Sequence, residues 1–161
     1  MTPKTATLSV ITPEELLKHW QGHRRLTRRV IDAFPEDKLF SFSVGGMRPF
    51  SEMAIEFLKM AEPIARGVAT GKWEQWKEGD SAPKTKAEIL RLWDEATLAI
   101  DKIWPTIPPH RFQEVDKAFD QWENSGINTI LYGIENEIHH RGQGYVYLRA
   151  LGIEPPAFWE R

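Results

Sequence analysis

The C-terminal stretch NEIHHRGQGYVYLRALGIEPP, residues 136–156, carries the clearest structural signature in the sequence. Gly152 and the Pro155-Pro156 pair follow a long stretch without proline, a pattern typical of a helix C-terminus. We predict that this helix begins at Ser125 and continues to about Leu151. One side of the helix carries apolar residues at helical spacing and is expected to be buried: Ile127, Leu131, Ile134, Ile138 and Tyr145.

Two helices are predicted in the first half of the chain. The first covers residues 13–34, with Thr12 as its N-cap and Pro13 in its first turn. The second covers residues 49–68, where Pro63 is expected to introduce a kink. Apolar residues recur at three- and four-residue steps in both segments, so each helix is expected to bury one face.

A third helix is predicted from the capping-box residue Thr85 to about Ile103. Residues 35–48 and 71–84 contain glycine and proline and are predicted connections. The second connection holds two tryptophans that are expected to fold back on the bundle: Trp73 and Trp76. Four helices without a convincing strand pattern predict an all-α fold, an antiparallel four-helix bundle with long connections.

Composition limits the kind of protein that this sequence can encode. The 161 residues are expected to form a single domain, residues 1–161. A net charge of −2 gives no reason to expect a nucleic-acid partner, and the absence of cysteine excludes a thiol nucleophile and any cysteine-based zinc site. No membrane span or leader sequence is recognisable, so we expect a cytoplasmic protein without a membrane partner.

A line of polar side chains on the last helix is the best candidate for a functional site. Asn136, His140, Gln143 and Tyr147 are three or four residues apart, so they lie along one side of the helix. Two groups at i and i+4 can bind the same ion, as Asn136 and His140 would here. The alternative is that this side is simply solvated. His139 lies about a quarter-turn away and is expected to be a surface or packing residue.

A second pair, His19 and His23 on the first helix, also has the i, i+4 spacing and offers an alternative metal site. The neighbouring Arg24-Arg25 pair is unfavourable to a cation, and His23 lies on the apolar face of its helix. A buried, hydrogen-bonded His23 is therefore the favoured interpretation.

Three segments together resemble the DinB-like superfamily of the DinB/YfiT type. They are the C-terminal stretch quoted above, RPFSEMAIEFLKMAEPIARGVATGKW at 48–73 and ELLKHWQGHRRLTRRVIDAFPEDKL at 15–39. The resemblance implies a four-helix bundle, a homodimer and a divalent metal ion held by three histidines. It also implies either transfer to a low-molecular-weight thiol or metal-dependent hydrolysis, with a small-molecule substrate.

By the same resemblance, the three metal-ligand positions fall on Glu56, Asn136 and His140, of which only His140 is a histidine. Such an oxygen-rich set favours manganese, magnesium or calcium over zinc or nickel, and the resemblance leaves manganese, nickel and zinc as candidates. Because Glu56 is flanked by apolar residues, a metal, His140 or His23 is expected to compensate its charge.

Further residues are expected around this centre as substrate-pocket candidates: His23, Gln143 and Tyr147. The alternative function is a non-catalytic dimeric bundle with a degenerate metal site and a binding or stress-response role. In that case Glu56, Asn136 and His140 would form an internal hydrogen-bonded cluster without metal.

Overall fold

The computed structural model describes residues 10–74 and 82–161, which contain five α-helices, two short 3-10 helices and one β-hairpin. The elements in chain order are α1 (Pro13–Ala33), α2 (Glu36–Ser41), α3 (Phe50–Thr70), α4 (Lys86–Ile103), the 3-10 helices Trp104–Thr106 and Pro109–Phe112, β1 (Val115–Ala118), β2 (Trp122–Ser125) and α5 (Gly126–Ala150). Within these two ranges, no helix is both long enough and apolar enough to cross a membrane.

Local capping interactions explain where the long helices begin and end. At the start of α1, Thr12 accepts a hydrogen bond from the Glu15 main-chain N–H, and the Glu15 carboxylate accepts one from the Thr12 N–H. Thr85 makes the same reciprocal contact at the start of α4, and Ser125 caps α5. Gly152 follows α5 with a φ of 75°, a left-handed conformation that glycine adopts without strain. The predicted helix boundaries are therefore confirmed within one or two residues.

The four long helices form the predicted bundle, in which α1 and α3 each pack against both α4 and α5. One buried apolar cluster joins the C-terminal halves of α1 and α5 to the N-terminal halves of α3 and α4, and a second joins the opposite ends. It follows that α1 and α5 run in one direction and that α3 and α4 run in the other. The connection from α3 to α4 is long because it must return the chain along helices of roughly 30 Å.

The β-hairpin was not predicted, and it packs at the C-terminal end of α3. Its Asp116 accepts hydrogen bonds from Trp73 Nε1 and from Arg111 Nη2, each at 2.9 Å. Arg111 Nε also donates to the Val68 carbonyl at 2.8 Å, which satisfies a main-chain group at the end of α3. Trp73 thus folds back as predicted, whereas Trp76 lies outside the described residues.

The buried side of α5 lies roughly a quarter-turn from the predicted one. Ile138, expected in the core, is 38% exposed, whereas Glu137 and Arg141 are only 2% and 6% exposed. Periodicity of apolar residues missed this face because two buried charges contribute to it. Both carry hydrogen bonds or ion pairs with residues of α1, and these partners make their burial tolerable.

Candidate metal centre

The structure brings the three resemblance-based ligand positions together between α3 and α5. Oε1 of Glu56, in the N-terminal half of α3, accepts a hydrogen bond from Asn136 Nδ2 at 3.1 Å. The same oxygen lies 3.4 Å from His140 Nε2. Asn136 and His140 are one turn apart on α5, so both side chains reach one carboxylate oxygen across the helix interface.

Sequence reasoning missed Arg48, a fourth member of this site. Its Nη1 lies 2.7 Å from Glu56 Oε2, the carboxylate oxygen that faces away from Asn136 and His140. Arg48 belongs to the connection before α3, which the sequence analysis treated only as a linker. The sequence contains one signal for this contact: a positively charged residue directly precedes a helix whose apolar face includes a glutamate in need of a counter-charge.

The electrostatic environment keeps Glu56 ionised. Burial would by itself raise the pKa of Glu56, but the interactions with Arg48 and Asn136 outweigh it and hold the pKa below its ordinary value, with a smaller contribution from His140. The expectation that His140 helps to compensate this charge is therefore confirmed. Arg48, rather than His23, is the other main partner.

A hydrogen bond to Gln143 sets the orientation of the His140 ring. His140 Nδ1 lies 2.7 Å from Gln143 Oε1, and because a carbonyl oxygen only accepts, Nδ1 carries the proton. With Nδ1 engaged by Gln143, Nε2 is the ring nitrogen that faces Glu56 Oε1. This is the arrangement that metal-binding histidines usually have, with one nitrogen held by a neighbouring acceptor and the other free to ligate.

Asn136 supplies the observation that tests whether a cation fits. Its Oδ1 is buried and has no hydrogen-bond partner among the described residues. Rotating the terminal amide by half a turn would exchange Nδ2 and Oδ1 and bring Oδ1 next to Glu56 Oε1. Two oxygens at that separation repel each other unless a cation lies between them. In that orientation Asn136 Oδ1, Glu56 Oε1 and His140 Nε2 would offer a divalent ion two oxygen donors and one nitrogen donor.

The donor set depends on the amide, because histidine and carboxylate side chains alone do not suffice. Across residues 10–74 and 82–161, no group of three or more His, Cys, Asp or Glu side chains is arranged to hold a metal ion. Glu56 and His140 provide two such donors, so Asn136 must provide the third. A metal site of this composition would be weaker and harder than one formed by three imidazoles.

Two of the three substrate-pocket candidates lie elsewhere. Tyr147 is fully buried, and its hydroxyl donates to the Arg48 main-chain carbonyl at 2.9 Å. It therefore fixes the main chain beside the site and does not line a pocket. His23 is 4% exposed and contacts Arg141 and Arg161 instead of Glu56. Neither side chain is accessible to a ligand from solvent, which corrects the prediction. Gln143 does belong to the site, through its contact with His140.

The alternative metal pair on α1 is not supported by the geometry. The rings of His19 and His23 are 4.5 Å apart, but the two ring nitrogens of His23 face guanidinium groups of Arg141 and Arg161, each at 3.0 Å. Burial and the Arg141 charge lower the pKa of His23 to about 3. Two adjacent arginines would repel a bound cation. His139 is exposed and is thus a surface residue.

The fold defines a class of proteins, the DinB-type helical bundles, and comparison with known proteins agrees. The model of the DinB family matches residues 1–161, and the chain belongs to this family. It is 20% identical over 148 residues to the uncharacterized protein YjoA of Bacillus subtilis (strain 168), an alignment covering 91% of this chain and 96% of YjoA.

Two solved structures have the same fold. The crystal structure of the DinB-like protein YjoA from Bacillus subtilis superposes with a TM-score of 0.72 at 18% identity, covering 91% of this chain and 99% of that one. A DinB-like protein from Bacillus cereus ATCC 10987 gives a TM-score of 0.73 at 18% identity, with 91% and 97% coverage. At this level of identity the likeness extends to the fold alone.

Proposed function

We propose that the protein is a divalent-metal-dependent enzyme, a thiol transferase or a hydrolase, that acts on a small molecule. Glu56 Oε1, Asn136 Oδ1 and His140 Nε2 would hold the ion. The observation that carries the proposal is the convergence of these groups around Oε1, at 3.1 and 3.4 Å, together with the buried Asn136 Oδ1 that has no described partner. Without a ligand, that oxygen costs free energy of folding.

Each residue of the site has a definite task in this proposal. A bound divalent ion polarises the substrate and makes a bound water or thiol more acidic. Gln143 holds the Nδ1 proton of His140, so that the Nε2 lone pair remains available. Arg48 pairs with Glu56 Oε2, whereas Oε1 is the oxygen proposed as a metal donor. Since two of the three donors are oxygen atoms, the site would suit manganese better than a site of three imidazoles does, and nickel and zinc remain the other candidate ions.

Metal content measured by elemental analysis on protein purified without a histidine tag tests the proposal. We expect about one equivalent of manganese per chain after incubation and gel filtration, and its loss in Glu56→Ala and in His140→Ala. Glu52→Ala, one turn earlier on α3, and His139→Ala, beside His140, are matched controls that should keep the ion. If wild-type protein retains no manganese, nickel or zinc, the proposal is wrong.

A second candidate function is the non-catalytic bundle with a degenerate site, and one observation favours it. Arg48 already places a positive charge 2.7 Å from Glu56, so the carboxylate has a counter-ion without any metal. In this case the cluster is structural. The wild type would then bind no ion, and Glu56→Ala would lower the free energy of unfolding, as measured by urea denaturation.

We also infer that the protein is a homodimer, as the family resemblance implies, and that it acts in the cytoplasm. The solvent-facing side of α5 exposes three large apolar side chains, a feature that supports an interface on this helix: Tyr132 at 52%, Ile138 at 38% and Val146 at 53%.

Light scattering coupled to gel filtration tests the homodimer. We expect a mass of twice the 18.6 kDa chain for the wild type and a shift to monomer in Val146→Glu. Leu98→Glu, which also changes an exposed apolar residue but on α4, is the matched control. A monomeric wild type, or a Val146→Glu variant that dimerises as well as the wild type, would contradict this interface.

A further inference from the structure

We propose that Arg48 binds a carboxylate group of the substrate, so that the enzyme acts on a small organic acid. This inference rests on the proposed function, because it assigns the substrate class of the same site. It starts from a feature that metal binding does not require: a half-exposed guanidinium that the fold holds beside the donor set.

The guanidinium of Arg48 has N–H donors that the ion pair with Glu56 does not use. Its side chain is 44% exposed, and Nη1 makes the ion pair with Glu56. An arginine side chain has five N–H donors in a planar fork that matches a carboxylate. In the part of the chain that the structure describes, Glu56 is the only acidic partner within ion-pair distance of Arg48. Donors therefore remain for a second oxyanion from solvent.

The charges of the site favour an anionic ligand. Glu56 and Arg48 cancel each other, and a divalent ion would leave the site with a net charge of +2 from these groups. In a partly buried site this charge is poorly screened, so an incoming carboxylate is attracted both to Arg48 and to the ion. A neutral substrate would leave the excess positive charge uncompensated.

The main chain of Arg48 is anchored although its side chain is exposed. The buried Tyr147 hydroxyl donates to the Arg48 carbonyl at 2.9 Å, and Pro49 follows directly as the residue before α3. Gly45 and Gly46 provide the turn that brings this segment back to α3, with φ values of 61° and 76°. The backbone of Arg48 is thus fixed, and the ion pair with Glu56 already restricts the side chain, so less freedom remains to be lost when a ligand binds.

Binding of succinate, compared with its uncharged diamide succinamide, tests the inference in the manganese-loaded protein. Broadening of the ligand proton signals by bound manganese gives both the affinity and the proximity to the ion. We expect the wild type to bind succinate and not succinamide. Arg48→Gln should weaken succinate binding about tenfold or more, because a charge-assisted pair is lost, and should retain manganese.

Two further variants sharpen this experiment. Arg48→Lys keeps the charge but loses the planar fork, so an intermediate affinity is expected. Arg66→Gln is the matched control, since Arg66 is 47% exposed at its side chain and pairs with Glu62 on the same helix α3. It should bind succinate like the wild type. Equal succinate affinity in wild type and Arg48→Gln would overturn the inference and leave the metal site intact.

A measurement on metal-free protein tests carboxylate binding by Arg48 even if the proposed metal site is wrong. If manganese does not bind, Glu56→Gln still removes the internal carboxylate and releases Arg48. We then expect this variant, measured by calorimetry, to bind succinate more tightly than the metal-free wild type and more tightly than the Glu56→Gln, Arg48→Gln double variant. No difference among the three proteins would show that Arg48 does not recognise a carboxylate.

Discussion

Replacing Glu137 by leucine is expected to lower the free energy of unfolding by about 3–5 kcal/mol, because the change removes one partner from a buried charge network. Glu137 is 2% exposed, and it interacts electrostatically with two buried arginines, Arg24 at 0% and Arg141 at 6% exposed. Thr27 Oγ1 donates to its Oε1 at 2.5 Å, and Arg141 Nη1 lies 3.8 Å from the same oxygen. Without the carboxylate, the two guanidinium groups lose their buried counter-charge.

Urea denaturation followed by circular dichroism measures this effect. The matched control is Glu135→Leu, which makes the same substitution at an exposed position of the same helix and should change the free energy of unfolding by less than about 0.5 kcal/mol. A loss below about 1 kcal/mol in Glu137→Leu would mean that Glu137 does not neutralise Arg24 and Arg141 in the folded protein.

Lowering the pH from 7 to 5 is expected to cost the wild type about 2 kcal/mol more than it costs the His23→Gln variant. Burial and the Arg141 charge lower the pKa of His23 to about 3 in the folded state. An unfolded histidine has a pKa of about 6.5. Between these values the unfolded chain binds a proton at His23 and the folded protein does not. The stabilisation is therefore present above pH 6.5 and is lost progressively as the pH falls towards 3.

The comparison with His23→Gln isolates this contribution from all other titrating groups. Glutamine retains hydrogen-bonding capacity next to Arg141 and Arg161 but does not titrate. Urea denaturation of both proteins at pH 7, 6 and 5 gives the two slopes. Parallel slopes would show that His23 can accept a proton in the folded state, which would require Arg141 or Arg161 to move away.

The bundle could be predicted because its signals are local. Thr12 and Thr85 mark helix starts through contacts with residues three positions later, and Gly152 marks an end through its own backbone conformation. The hairpin could not be predicted in the same way. Two residues of its turn, Phe119 and Asp120, have φ values of 53° and 56°. Hairpin turns with such positive φ values are usually recognised in a sequence by asparagine and glycine, and neither residue is present at these two positions.

Tertiary contacts explain the remaining differences between sequence and structure. The hairpin depends on the contact between Asp116 and Trp73, which are 43 residues apart. The buried face of α5 depends on two residues of α1. The charge of Arg24 and the hydroxyl group of Thr27 compensate the burial of the Glu137 carboxylate. The resemblance located Glu56, Asn136 and His140, but it contained no information about Arg48. Arg48 lies in a connecting segment, so its position next to Glu56 depends on how that segment folds, which helical periodicity does not reveal.

Adjacent residues of α5 divide two tasks between them. Glu137 and Arg141 bond to α1 and set the rotation of the helix, while Asn136 and His140, one position earlier in each case, face α3. The residues of α5 that face α3 can therefore be substituted without disturbing the packing of α5 against α1. Exchanging Glu56 and Asn136 for histidine would convert the proposed oxygen-rich donor set into three imidazoles on an unchanged scaffold, so the chain offers a way to test how donor type sets metal preference.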